Sequence, residues 1–202
     1  MLMLNGAKEA SISGVILAGG ANKRFGGMTK ANYVIDGVTI ISRIISVIGD
    51  LFDEIIIVTN NPEEFREYLN CKIVSDIFKK AGPLGGIHAA LKAASGDAVF
   101  IFASDMPFLN KKIIVDQINE YKNSDAEVVI PRVGEFIEPL HAVYRKSIMN
   151  KMEKFLSEKK SKAVRDFLSE VNVDYYEVLP SDESRRAFMN INSPSDLAGF
   201  LS

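Results

Sequence analysis

The sequence predicts a single α/β domain in three α/β/α layers, with helices on both faces of a mostly parallel central sheet. Short apolar runs rich in Val and Ile alternate with segments of helical period along most of the chain. Several of these runs are apolar without interruption, as strands covered on both faces require. The 202 residues, 47% hydrophobic and 25% charged, suit one soluble globular domain.

Met1 to Ser13 is read as a disordered lead-in, since it holds one Lys8 beside Glu9 and no signal-peptide core, and residues 14–202 are read as the domain. Val15 to Ala18 is the first strand. Ile40, Ile41, Ile44, Ile45 and Ile48 recur at helical spacing, so Thr39 to Ile48 is predicted as a helix that Gly49 ends. Glu54 to Thr59 is the second strand. Asn60-Asn61-Pro62 stops it, and Pro62 suits the first turn of a helix through Glu63, Phe65 and Tyr68. Cys71 to Val74 is a short third strand, Leu84 to Ala94 a helix, Ala98 to Ala103 the fourth strand, Lys111 to Tyr121 a helix and Glu127 to Pro131 the fifth strand. Beyond Phe136 the pattern is less regular, with a strand over Pro139 to Tyr144 and helices over Ser147 to Glu158 and Ala163 to Val171.

The net charge of −2 argues against a general nucleic-acid binder. A single cysteine, Cys71, forms no internal disulfide, and no apolar run reaches the ~18 residues of a membrane span, so a reducing cytoplasm is expected.

In open α/β sheets ligands bind outside the carboxyl ends of the strands. After the first strand comes Leu17-Ala18-Gly19-Gly20, then Arg24 and Lys30. Paired glycines let backbone N–H groups approach an anion, and the two cations can grip phosphate oxygens. Neither Gly26 nor Gly27 is followed by Lys, which excludes a Walker A loop, and the glycine spacing is not that of a dinucleotide fingerprint. Without a ligand the same segment would be a glycine-rich turn with solvated charges. Asp76 and Gly82-Pro83-Leu84-Gly85-Gly86 follow the third strand and lead into a helix whose N–H groups could meet a base edge or an anion. Asp105, in Ser104-Asp105-Met106-Pro107, follows the fourth and most apolar strand. It is the metal candidate, since Mg²⁺ commonly takes one or two carboxylates plus substrate phosphates; the alternative, which does not exclude the first, is a cap for a helix opening with Pro107.

Taken together, Leu17-Ala18-Gly19-Gly20, Arg24-Phe25-Gly26, Lys30, Gly82-Pro83-Leu84-Gly85-Gly86, Asp105-Met106-Pro107-Phe108 and Asn190-Ile191-Asn192-Ser193-Pro194 resemble, in order and spacing, the molybdenum cofactor guanylyltransferases. The resemblance implies a Rossmann-like nucleotidyltransferase fold and transfer of GMP from GTP to the terminal phosphate of molybdopterin, with release of pyrophosphate. It implies that Leu17, Ala18, Gly19 and Gly20 cradle GTP, that Arg24 and Lys30 contact its phosphates, and that Asp76, Gly82, Pro83 and Leu84 belong to the nucleotide site. Asp105 matches the family's Mg²⁺ ligand, with Mn²⁺ as an alternative ion. Asn190 and Asn192 match asparagines on the pterin side, and His141 lies in a segment resembling one near the acceptor. Phe25 departs from the usual methionine. Val58 falls where some members carry an asparagine, and Asn60 stands two residues on to substitute for it. The implied partners are GTP and molybdopterin, with transient contact to other cofactor-biosynthesis proteins or target enzymes, for a monomer that binds neither nucleic acid nor membrane. A cytidylyl or sugar-phosphate nucleotidyltransferase and a non-catalytic nucleotide-binding module are the alternatives. His88, inside a predicted helix, reads as a packing or surface residue. Lys159, Lys160, Lys162, Arg165, Arg185 and Arg186 read as a solvated face rather than an acceptor-side patch for a pterin phosphate, and Phe136 and Phe188 as core rather than stacking partners of the pterin.

Overall fold

The computed structural model describes residues 11–19, 29–158, 161–193 and 196. Its strands are β1 (Ile12–Leu17), β2 (Val34–Ile35), β3 (Val38–Thr39), β4 (Ile55–Val58), β5 (Lys72–Val74), β6 (Ala98–Ala103), β7 (Val128–Val133), β8 (Phe136–Ile137), β9 (His141–Arg145) and β10 (Val173–Glu177). The α-helices are α1 (Ile40–Ile48), α2 (Gly82–Ala93), α3 (Lys111–Asn123), α4 (Met149–Glu158), α5 (Val164–Leu168) and α6 (Asp182–Ala187).

The main sheet runs β10-β7-β9-β6-β1-β4-β5, with β8 beside β7. β5, β4, β1 and β6 are parallel, and β10 is parallel to β7. Only β9 along this path runs against its neighbours. Side-chain alternation along β6 builds both covering layers: Ala98, Phe100 and Phe102 face the α1 and α3 side with Ile44, Ile48 and Ile114, while Val99 and Ile101 face the α2 and α4 side with Leu84, Ile87, Met152 and Phe155. This is the mostly parallel three-layer sheet that the alternation of elements predicts.

Most elements fall where the pattern puts them. Thr39 caps α1 by accepting from Ser42 N, and β6 has the predicted bounds. Four differences have local causes. β1 begins at Ile12, not Val15, because Ile12 and Ser13 pair with Ala98 and Val99, so the last residues of the expected lead-in are strand. Residues 1–10 lie outside the described residues. Pro62–Phe65 is only a 3₁₀ turn, because the chain must return to β5 at Lys72. Asp36-Gly37, both at positive φ, turns the small β2–β3 hairpin, whose strands are too short to show a pattern. β10 is an edge strand of exposed and half-buried residues, so it lacks the apolar run that marks the others. Among the described residues no helix is long and apolar enough to cross a membrane.

α2 starts at Gly82, two residues before the sequence expectation, so Gly-Pro-Leu-Gly-Gly is its first turn. A Cβ on Gly85 would stand 2.9 Å from the Phe78 carbonyl oxygen and 3.0 Å from the Ala81 Cβ. Gly85→Ala is therefore expected to push α2 away from this loop and to cost about 1–3 kcal/mol of stability, measured by urea unfolding.

Candidate functional site

The carboxyl ends of β1, β4, β5 and β6 open onto one cleft of about 660 Å³. Its mouth is shaped by backbone bonds that continue the sheet past the strand ends: Ala18 N donates to Val58 O, Thr59 N to Val74 O, Ser104 N to Leu17 O and Ala103 N to Leu140 O. Because β1 and β6 are direct neighbours, the first and fourth predicted strands deliver their loops side by side. Leu17, Ala18, Gly19, Lys30, Asn60, Asp76, Gly82, Pro83 and Asp105 all line this cleft, although they are spread over nearly ninety positions of sequence. Gly20 and Arg24 lie outside the described residues.

At the β1–β6 end, Lys30 Nζ lies 3.4 Å from Asp105 Oδ2 and donates to Asn192 Oδ1 at 2.7 Å. Ile191 N donates to the Asp105 carbonyl at 2.8 Å, which ties the carboxy-terminal segment to the metal candidate's own loop. Asp196 accepts from Asn192 N and Ser193 N, and the Asn192 N–H foremost holds its carboxyl below the usual range. Asn192 therefore reaches the Lys30 ammonium at the β1–β6 end of the cleft. Asn190 is half-buried one residue before the Ile191 anchor, and its side chain makes no hydrogen bond among the described residues.

The cap reading of Asp105 does not hold: no helix opens at Pro107, and α3 is capped by Asn110, which accepts from Ile113 N. Glu138, nine-tenths buried, was not singled out from the sequence. Burial pushes its carboxyl up, the Asp105 charge adds to this, and Leu140 N donates to it at 3.2 Å. Its signal was Glu138-Pro139-Leu140, the approach to a strand that turns out to adjoin β6. Among the described residues no group of three His, Cys, Asp or Glu could hold a metal. Asp105 offers a single carboxylate at this end of the cleft, a hard oxygen donor of the kind Mg²⁺ takes alongside phosphate oxygens and water.

At the β4–β5 end, Asn60 Nδ2 donates to Asp76 Oδ2 at 2.8 Å, and Lys79 Nζ donates to Asn60 Oδ1 at 2.8 Å. The Asn60 amide is thereby oriented from both sides. Gly86 stands against Asp76 and Leu17: a Cβ there would lie 3.7 Å from Asp76 Oδ1 and 3.1 Å from Leu17 Cδ2. Lys80 also borders the cleft and was missed, since a loop lysine carries no periodic signal.

Two expected site residues are corrected. Leu84 is fully buried beneath α2, because in the first turn of that helix its side chain faces the sheet. His141 is also fully buried: β9 pairs it with Phe102, and the pleat turns its ring among Phe100, Phe102 and Phe188 at 5.1–5.4 Å. Gln117 Nε2 donates to Val129 O and His141 O, so its Oε1 accepts from His141 Nδ1–H at 3.2 Å and fixes the tautomer. Phe188 is core as expected, whereas Phe136 is 47% exposed on β8. His88 is a packing residue, its Nε2 3.1 Å from Glu153 and its ring against Phe78.

Burial lowers the His141 imidazole from 6.5 to about 4. Below pH 6.5 the unfolded chain takes up a proton that the folded chain refuses, so this contribution to stability is complete above 6.5 and is lost as pH falls toward 4. Between pH 7 and 5 the loss from this group is about 2 kcal/mol. Urea unfolding of His141→Phe should show that much less acid destabilisation than the parent over the same range.

Residues 14–173 match the family model described as "MobA-like NTP transferase domain". The chain is 39% identical over 195 residues to the "Probable molybdenum cofactor guanylyltransferase" of Natranaerobius thermophilus, covering 93% of each. It is 34% identical over 189 residues to the "Molybdenum cofactor guanylyltransferase" of Desulfosudis oleivorans, again covering 93% of each. Among solved structures, the molybdopterin-guanine dinucleotide biosynthesis protein A of Archaeoglobus fulgidus superposes with a TM-score of 0.77 at 25% identity, covering 93% of this chain and 95% of that one. With the matched segment taking in the cleft from Leu17 to Leu140, the chain belongs to the MobA-like NTP transferase family.

Proposed function

We propose that the protein transfers GMP from GTP to the terminal phosphate of molybdopterin and releases pyrophosphate. The observation that carries this is the meeting of Lys30, Asp105 and Asn192 at one end of a cleft whose other end holds Asp76 and Asn60. The relatives named above as guanylyltransferases, similar over nearly the whole chain, support the choice of base and acceptor.

An oxygen of the acceptor phosphate attacks the α-phosphorus of GTP. A new P–O bond forms, the bond from the α-phosphorus to the oxygen bridging the β-phosphorus breaks, and pyrophosphate leaves with the electron pair. The acceptor phosphate is already ionised near neutral pH, so no general base is required. His88 and His141 are both fully buried, in keeping with that. What remains is to hold two anions in line and offset their repulsion. Lys30 and Arg24 do so as cations. Gly19 and Gly20 offer backbone N–H groups, Leu17 and Ala18 line the cleft beside them with the Ala18 N–H already given to Val58 O, Asn60, Asp76, Gly82 and Pro83 hold the nucleoside, and Asn190 and Asn192 face the acceptor. Asp105 would hold the Mg²⁺, or Mn²⁺, that neutralises charge on the phosphates.

Pyrophosphate release across the four nucleoside triphosphates, with and without molybdopterin, tests this. Release that needs both GTP and molybdopterin is expected. Release driven by CTP or by a sugar phosphate overturns it in favour of another transferase, and GTP binding without release under any condition overturns it in favour of a binding module.

A further inference from the structure

The cleft's polar groups divide between two ends. Asp105 follows β6 and Asp76 follows β5, and these strands stand three places apart in the sheet, ~14 Å at the spacing of hydrogen-bonded strands. That separation suits a nucleotide laid across the strand ends, its phosphates at Lys30 and its base at Asp76. The base end holds two adjacent lysines in different situations. Lys79 is taken up by Asn60. Lys80 is exposed, borders the cleft, and makes no hydrogen bond or ion pair among the described residues. Its backbone sits at φ 61, a left-handed conformation that a lysine adopts at a cost and that Gly or Asn would take more easily. Such strain concentrates where a side chain must be aimed. Beside it, Asp76 spends one oxygen on Asn60 and keeps Oδ1 without a described hydrogen bond.

A cation and a carboxylate at one end of a nucleotide cleft match the edge of guanine, where O6 accepts and N1–H and the 2-amino group donate. Adenine presents a donor where guanine presents O6, so the same pair opposes it. Resting on the GTP reading above, we propose that Lys80 donates to guanine O6 while Asp76 accepts from N1–H and the 2-amino group. Lys80 is then a determinant of base choice outside the Gly82-Pro83 turn.

Equilibrium binding of three triphosphates without acceptor tests this on the full chain. GTP and inosine triphosphate carry O6 and N1–H, and 2-aminopurine riboside triphosphate lacks both. Lys80→Met is expected to weaken GTP and inosine triphosphate by about 10- to 100-fold, the range for a charged hydrogen bond, and to leave 2-aminopurine riboside triphosphate unchanged. Lys80→Gly, which relieves the backbone, should show the same split, so that strain is not its cause. Equal weakening of all three ligands, as a phosphate contact would give, overturns the assignment, and so does no weakening of any. A parent protein that binds no GTP overturns the nucleotide reading itself, which sets that failure apart from an error about Lys80.

Discussion

Asp105→Ala is expected to lower turnover by about 10²- to 10³-fold, the usual loss when one group that stabilises transferring charge is removed. The fold should survive. The Asp105 side chain is 26% exposed, and the structural bond at this position, Ile191 N to Asp105 O, belongs to the backbone and remains in the variant. Thermal unfolding of the purified variant should therefore stay close to that of the parent. Asp105→Asn keeps the shape and removes the charge, so it should lose nearly as much activity as the alanine variant. Near-normal turnover by either folded variant would sink the metal-ligand role.

Lys30→Ala should cost a similar factor by another route. The ammonium group lies against both Asp105 and Asn192, one residue contributed by the end of β6 and the other by the carboxy-terminal segment. Removing it takes a cation from the phosphates and leaves the Asp105 carboxylate near Glu138, whose own carboxyl already responds to the Asp105 charge. Lys30→Arg should not restore full activity, because a planar fork differs in shape and reach from a point charge. As the two groups are in contact, the double variant Lys30→Ala, Asp105→Ala should lose less than the product of the single losses. Steady-state kinetics of all four proteins decides this, and a full product would show that the two side chains act independently.

Legibility from sequence followed burial. The β6 run from Ala98 to Ala103 is buried at every residue and was read with its observed bounds, and the isoleucine spacing of α1 marked a helix with one apolar face. Elements at the margin carried less signal: β10 buries none of its residues fully, α6 has six residues, and β8 has two. Within the cleft, Gly19, Lys30, Asp76, Gly82 and Asp105 could be singled out from sequence because glycines and charges after strands are local signals. His141 was misplaced because nothing in Glu138-Pro139-Leu140-His141 tells that β9 reverses direction and turns the ring inward. Lys80 escaped because its backbone angle, not its neighbours in sequence, distinguishes it from Lys79.

By itself, the sequence determined the alternating α/β layers, the glycine loop after the first strand and the acids after the third and fourth. Apolar runs, turn residues and charges act over a few positions, and such short-range patterns survive in a linear string. Tertiary structure alone decided that Lys30 meets Asn192 across 162 positions, that one histidine is sealed among aromatic rings, and that one lysine of a pair faces the cleft. Those outcomes depend on strand order and pleat direction, which are settled when the sheet closes over its two cores and are not written in any single segment.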